Sequence, residues 1–168
     1  MPAIQQSPPP PPQGQDKPAF RVRPARRGDG EALAALLGEL GYPGSADTST
    51  VHWVLSHPEM AVIVAADAQD KPVGMITLSH RPQLRLKGRI VTIDELVVSA
   101  AWRRKGVGKA LMKHALERAR VLTAKRVELH THKSRGEAVR AFYEACGFQE
   151  VDSMVMRLTE GEPATSSR

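Results

Sequence analysis

A short basic turn, Arg103-Arg104-Lys105-Gly106-Val107-Gly108, is where this 168-residue chain concentrates its chemistry. The residues before it, Ile90 to Val98, are β-branched and apolar, as a buried strand should be. After it, Val107, Leu111, Ala115 and Ala119 recur at four-residue steps, one face of a helix. A glycine turn that feeds a helix leaves several backbone N–H groups without partners and aimed at one spot. The helix dipole adds partial positive charge there, so the predicted ligand is a phosphate. Two carboxylates, Asp94 and Glu95, sit on the strand just upstream. Successive strand residues face opposite sides, so only one can look into a given cavity unless a bulge intervenes.

Three phosphate-binding patterns compete for the turn. A Walker-type loop needs Ser or Thr after Gly-Lys to hold magnesium, and Gly108-Lys109 is followed by Ala110. A dinucleotide fingerprint needs a small residue where this chain has Leu111. Arg-x-x-Gly-x-Gly, with Val97 and Val98 upstream, fits. It resembles the acetyl-CoA signature of the GNAT superfamily of N-acetyltransferases, although the motif alone also suits an ordinary strand–loop–helix with a basic turn. A second stretch, Ala138-Val-Arg-Ala-Phe-Tyr-Glu-Ala-Cys-Gly-Phe148, is similar to the other GNAT landmark, a helix carrying Phe-Tyr and ending in Gly-Phe. Both occur in the family's order, and the resemblance spans Phe20 to Leu158. One position departs: many members have Asn seven residues before the Tyr, and here it is Gly136, which weakens any CoA contact from that side chain.

The resemblance implies an α/β GNAT (acyl-CoA N-acyltransferase) fold, with a mixed central sheet of roughly six to seven strands and about four flanking helices. It implies acetyl-CoA as acetyl donor, with the pyrophosphate held at Arg103, Arg104, Lys105, Gly106, Val107, Gly108 and Lys109. Backbone N–H groups around Val97 and Val98 would hold the pantetheine amide and acetyl carbonyl, with Leu96 also in contact with the cofactor, which adds as a pseudo-strand. The acceptor amine arrives mostly protonated, since an alkylamine has a pKa of about 10.4. It must lose a proton, the oxyanion needs a donor, and the departing thiolate needs a proton. No metal or covalent intermediate is required. By match to the family's tyrosine, Tyr143 protonates the thiolate, because a phenol stays protonated at neutral pH. Packing between helix and sheet is the plainer role for it. Glu95 is favoured as base or anchor of a water relay and Asp94 second; a carboxylate paired to a nearby arginine is the alternative.

Other reactive side chains carry less. His130 and His132 share a predicted strand face with Glu128, but no Cys/His set completes a metal site; His130 can line the acceptor pocket. Cys146 is expected as a small buried hydrophobe, and Trp102 as a packing anchor.

The elements that must position these groups read in order. Phe20 to Arg23 alternates as a first strand. Asp29 is predicted to cap a helix with Leu33, Leu36, Leu37 and Leu40 on its apolar face, ended by Gly41. A shorter helix covers about Ser49 to Ser56, stopped by His57-Pro58. Ala61–Ala66 and Val73–Ser79 form a hairpin around a polar turn, and Gln83 to Gly88 is a basic loop. After the central helix come a strand near Arg126, a helix over 137–145, and a last strand at Met154 to Leu158. Strand–helix–strand in the later half implies parallel pairing.

Composition sets the outer limits. Hydrophobic residues make up 41% and charged residues 25%, enough for one ordinary core. The net charge of +6 suits a ligand with several phosphates. Without a long Lys/Arg tract, nucleic acid is the weaker reading. One cysteine fits a reducing compartment, no apolar run is long enough to span a membrane, and no secretory signal is visible; a cytoplasmic location is expected. Residues 1–18 hold the proline run Pro8 to Pro12 and read as an extended tail, 19–159 as the catalytic domain, and 160–168 as a flexible end. The expected activity is acetyl transfer to a primary amine of a small molecule. A protein N-terminus or lysine is the runner-up, and a non-catalytic CoA sensor the alternative from another class. A homodimer stays open.

Overall fold

The computed structural model describes residues 19–158. They fall into two compact units, one ending at Thr131 and one beginning at His132. The expected tails at 1–18 and 160–168 lie outside the described residues.

The first unit is a five-stranded sheet with three helices. Strands β1 (Arg21–Pro24), β2 (Met60–Ala66), β3 (Pro72–Gln83), β4 (Gly88–Val98) and β5 (Ala124–Leu129) lie in that order. The first four pair antiparallel, and β4 pairs with β5 in parallel. The crossover between the parallel pair is helix α3 (Val107–Val121), as the sequence order demands. Helices α1 (Gly30–Leu40) and α2 (Thr48–Ser56) connect β1 to β2.

Each face of the sheet has its own core. Val62 and Val64 of β2, Met75 of β3 and Val97 of β4 cluster with Leu33 and Leu36 of α1 and Val51 of α2. The α3 face of the sheet includes Gly74, where an added Cβ would stand 3.1 Å from Val107 Cγ1 and 3.3 Å from Leu111 Cδ1. That missing side chain lets the first turn of α3 settle against the sheet. All four predicted apolar positions of α3 are buried. Burial of this stripe, more than helix propensity, fixes the helix.

A buried ion network closes the end of β1. Arg23, with a side chain only 9% exposed, donates to both oxygens of Asp29 at 2.8 and 2.9 Å and to Asp70 Oδ1 at 2.7 Å. Asp29 also accepts the Arg26 N–H at 2.7 Å. Asp29 was expected to cap α1; it holds the α1 N-cap position but makes no side-chain cap there. The stronger bidentate pull of Arg23 has taken its oxygens.

Three further expectations are corrected. The Gln83–Gly88 loop is shorter, because β3 runs through Gln83 and a single turn at Leu84–Leu86 leads into β4. His130 and His132 do not share a strand face, since β5 stops at Leu129. The sheet has five strands rather than six or seven, because 151–158 forms no strand. Val151, Met154 and Met156 are all exposed. A strand needs a ladder partner to be stable, and this segment pairs with none among the described residues.

The second unit holds helix α4 (Glu137–Ala145), which begins after Gly136 at φ 82° and is followed, past Cys146, by Gly147 at φ 93°. Arg140 ties it together by pairing with Glu144 at 3.0 Å and Glu150 at 2.9 Å.

The network at β1 predicts acid sensitivity. Asp70 is held down to about 2, first by Arg21 and then by Arg23. Asp29 is also lowered: burial opposes the charge, but hydrogen bonds from Arg23 and the Arg26 amide outweigh it. Carboxylates depressed in the folded state contribute fully above about pH 4, and that contribution is lost as pH falls toward 2. Urea unfolding across that range should show the loss. Arg23→Met should flatten the pH slope and cost roughly 3 kcal/mol at neutral pH, because it strands a buried carboxylate.

Candidate active site

An irregularity in β4 organises the site. In the ladder with β3, Thr77 faces Glu95 while the next residue, Leu78, faces Ile93. Asp94 is therefore an extra residue, a β-bulge. Directly paired residues share a sheet face. Ile93 lies with Leu78 on the α3 side, whereas Glu95 lies with Thr77 on the side of α1 and α2. Without the bulge, Glu95 would follow Ile93 to the opposite face. The Glu95 N–H, displaced from the regular ladder, donates to Thr77 Oγ1 at 3.0 Å. Thr77 is buried, and sequence reading passed over it. A threonine in an apolar strand signals nothing until its partner is known.

The bulge also brings both carboxylates to one side. Asp94 accepts a hydrogen bond from the Ser79 hydroxyl, and Ser79 is two residues from Thr77, on the same face. Desolvation raises both carboxyls above their ordinary values, Glu95 from a half-buried position and Asp94 although its side chain keeps an exposed side. For Asp94 the Ser79 hydrogen bond and the nearby His130 partly offset the rise. For Glu95 the neighbouring Asp94 adds to it.

Glu95 lines a cavity of about 340 Å³ between the sheet and the first two helices. Its apolar walls include Leu33 and Leu37 of α1, Val51 and Val54 of α2, and Val62 and Met75 of the sheet. Glu95 is the one ionisable carboxylate among its lining residues. Asp94 does not line it.

Beyond the bulge β4 loses its parallel neighbour. Pairing with β5 ends at Ile93 opposite Leu129, yet β4 continues to Val98. The phase of the free edge is fixed by Ser99, whose N–H donates to the Val73 carbonyl at 2.9 Å. Antiparallel alternation then turns the backbone groups of Val97 toward β3 and those of Leu96 and Val98 toward the open edge. The side chains play no part in this; Val97 is buried in the core.

The basic turn follows. Gly106 is left-handed at φ 85°, and Arg104 adopts φ 62°. The first bond within α3 runs from the Ala110 N–H to the Gly106 carbonyl at 3.0 Å. The amides of Val107, Gly108 and Lys109 precede it and have no intrahelical carbonyl to reach. Gly106 is required by its backbone angle, since the space around it is open. Arg104, Lys105 and Lys109 are exposed around this cluster of donors. Arg103 folds back instead. Its Nε donates to the Val98 carbonyl at 3.0 Å, and its Nη2 lies 3.4 Å from Glu39 Oε2, which also accepts the Ala100 N–H at 2.8 Å. Arg103 thus fastens the turn to β4 and to α1. Trp102 sits under Lys105, whose Nζ is 5.5 Å from the ring centroid.

In the second unit, Tyr143 stands edge-on to Phe142 and Phe148 at 5.3 and 6.2 Å between centroids. Burial raises its phenol, partly opposed by Arg135, so it is protonated at neutral pH. Cys146 is half-buried at the end of α4, not fully buried as expected. Among the described residues no group of three or more His, Cys, Asp or Glu could hold a metal ion. No described helix is long and apolar enough to cross a membrane.

Residues 31–148 match the family model described as Acetyltransferase (GNAT) family. No curated protein matches the chain. Several solved structures are similar. One, from Agrobacterium tumefaciens strain C58 and provisionally named an acetyltransferase, is 28% identical with a TM-score of 0.74, over 83% of this chain and 99% of the other. A transcriptional regulator from Bacillus halodurans C-125 is 27% identical with a TM-score of 0.71, over 83% and 100%. Glucosamine-6-phosphate N-acetyltransferase from Arabidopsis thaliana is 20% identical with a TM-score of 0.72, over 83% and 98%, a likeness of fold.

A carboxyl raised by burial destabilises the fold once it ionises. Glu95 therefore costs stability as pH rises through its elevated pKa, and nothing below the unfolded value. Glu95→Gln should raise Tm at pH 7 and leave it unchanged near pH 3, by differential scanning calorimetry. Equal Tm gains at both pH values would mean that the charge is not the cause.

Proposed function

The chain belongs to the acetyltransferase (GNAT) family, and from that premise we propose that it moves the acetyl group of acetyl-CoA to a primary amine of a small molecule, by direct attack in a ternary complex. The observation that carries this reading is the position of Glu95, on the cavity face of β4 and directly before the open edge at Leu96–Val98.

The backbone supplies the donor site. Amides of Val107, Gly108 and Lys109 suit the pyrophosphate, with Arg104, Lys105 and Lys109 adding charge. Arg103 keeps the turn in register from the protein side. The outward N–H groups of Leu96 and Val98 suit the pantetheine amide and the acetyl carbonyl, with Val97 serving as the residue that anchors the edge to β3. Acetyl-CoA bound there supplies an activated carbonyl and a thiol leaving group.

Glu95 meets the ammonium of the acceptor and takes its proton, directly or through a water. Its raised pKa suits this task, because a base works best when its pKa lies nearer the operating pH. Asp94 reinforces that elevation. Tyr143 donates the proton that the departing thiolate needs, and its raised pKa keeps it in the donor form. The sugar amine named for the Arabidopsis neighbour supports a small-molecule acceptor. A second reading, a non-catalytic acyl-CoA sensor, draws support from the Bacillus halodurans regulator. A sensor would bind acetyl-CoA without releasing thiol in the presence of any amine.

Two substitutions separate the roles. Tyr143→Phe should leave acetyl-CoA affinity intact by calorimetry while lowering kcat at least roughly tenfold; unchanged kcat removes Tyr143 from the mechanism. Glu95→Gln should lower kcat/KM by about a hundredfold or more and erase the acid limb of its pH profile. An unaltered profile would assign the base elsewhere.

A further inference from the structure

The cavity under α1 and α2 has a chemistry of its own. Its depth is hydrocarbon, from the leucines and valines of both helices and from Val62 and Met75 of the sheet. Glu95 is its one charged lining residue, and no Lys, Arg or His lines it. Four residues with hydroxyls line it as well: Tyr42, Ser45, Thr50 and Thr77. Two of these hydroxyls are already engaged. Ser45 Oγ donates to the Tyr42 carbonyl at 2.6 Å. Thr50 sits beside the Asp47 carboxylate, whose Oδ1 accepts the Thr50 N–H at 2.7 Å. Thr77 Oγ1 accepts the Glu95 N–H at 3.0 Å. Tyr42 is half exposed, and Ser45 and Thr50 are exposed, so the polar end is the mouth and the apolar end is the interior.

A polyhydroxylated acceptor would bury more hydroxyls than the few polar groups of these walls can partner, and each one left over is penalised on transfer out of water. A phosphorylated one would meet no cation and one carboxylate. A hydrocarbon body meets neither penalty, and an ammonium on its end finds the single anion that the cavity presents. At about 340 Å³ the space lies near the small end of ligand sites, which limits the body to a short chain or a single ring.

Resting on the transferase reading above, we infer that the acceptor is a primary amine carried on a compact, uncharged hydrocarbon body, an alkylamine or arylalkylamine, rather than an aminosugar, a phosphorylated amine or a peptide lysine. The carboxylate of Glu95 selects the ammonium, and the apolar walls select the body.

The test is a thiol-release assay with the full chain and saturating acetyl-CoA, run beside calorimetry of acetyl-CoA alone. The panel comprises linear amines from ethylamine to hexylamine, phenethylamine, glucosamine, glucosamine 6-phosphate and a lysine-containing peptide. The expected result is that kcat/KM climbs about three- to fourfold with each methylene until the cavity is full. Hexylamine or phenethylamine should exceed both aminosugars by at least about a hundredfold. Val54→Thr, which keeps shape and adds one hydroxyl to the wall, should lower kcat/KM by a clearly larger factor for hexylamine than for ethylamine, with calorimetry of acetyl-CoA checking that the donor site is intact. Faster turnover of an aminosugar or the peptide would overturn the inference and leave the transferase standing. Saturable acetyl-CoA binding with no thiol release from any amine would overturn the transferase reading itself, and this inference with it.

Discussion

One inserted residue in a β-strand governs this site. Asp94 has no partner of its own across the ladder with β3, so every side chain after it changes face. The residues before it, Val91 and Ile93, fill the core on the α3 side. Those after it, Glu95 and Val97, look toward α1 and α2. The same shift costs Glu95 its regular ladder bond, and Thr77 replaces that bond with a hydroxyl. A carboxylate is thereby held at the edge of an apolar cavity by backbone geometry. Its burial would be expensive for the fold alone, which is the form a functional group takes when position outweighs stability.

Around this bend the rest of the first unit acts as support. Helices α1 and α2 roof the cavity and supply its apolar walls. Gly74 admits the start of α3 close to the sheet, which sets where the amides of Val107 to Lys109 can stand. Arg103 and Glu39 lock the turn between β4 and α1. The departure of β5 after Leu129 leaves the backbone of β4 exposed along its last residues. A donor edge, a donor turn and a carboxylate thus lie within one continuous stretch, Asp94 to Lys109.

Much of this was legible in the sequence, for identifiable reasons. Local patterns carried it: the four-residue apolar step of α3, the stop at Gly41, the proline-ended α2, and the two glycines before Lys109. The family resemblance rested on such local runs, and the family match agrees with it. Nonlocal facts were out of reach. A bulge is a statement about two strands, so the choice between Asp94 and Glu95 could be framed from β4 alone but not decided. Arg103 reads as an anion ligand in the motif, yet its guanidinium turns to a carbonyl and a carboxylate that lie elsewhere in the chain. Thr77 looked like strand filler. Met154 to Leu158 has strand composition and no strand, because β-propensity means little without a neighbour.

Main-chain donors of β4 and of the α3 turn are proposed to hold acetyl-CoA, with β4 in the phase its bulge imposes. Amide hydrogen exchange by NMR, with and without acetyl-CoA, tests it directly. New protection is expected at Leu96, Val98, Val107, Gly108 and Lys109, with Val97 already protected before the ligand is added. Protection gained at Val97 but not at its two neighbours, or no change in the turn amides at saturating ligand, would contradict it.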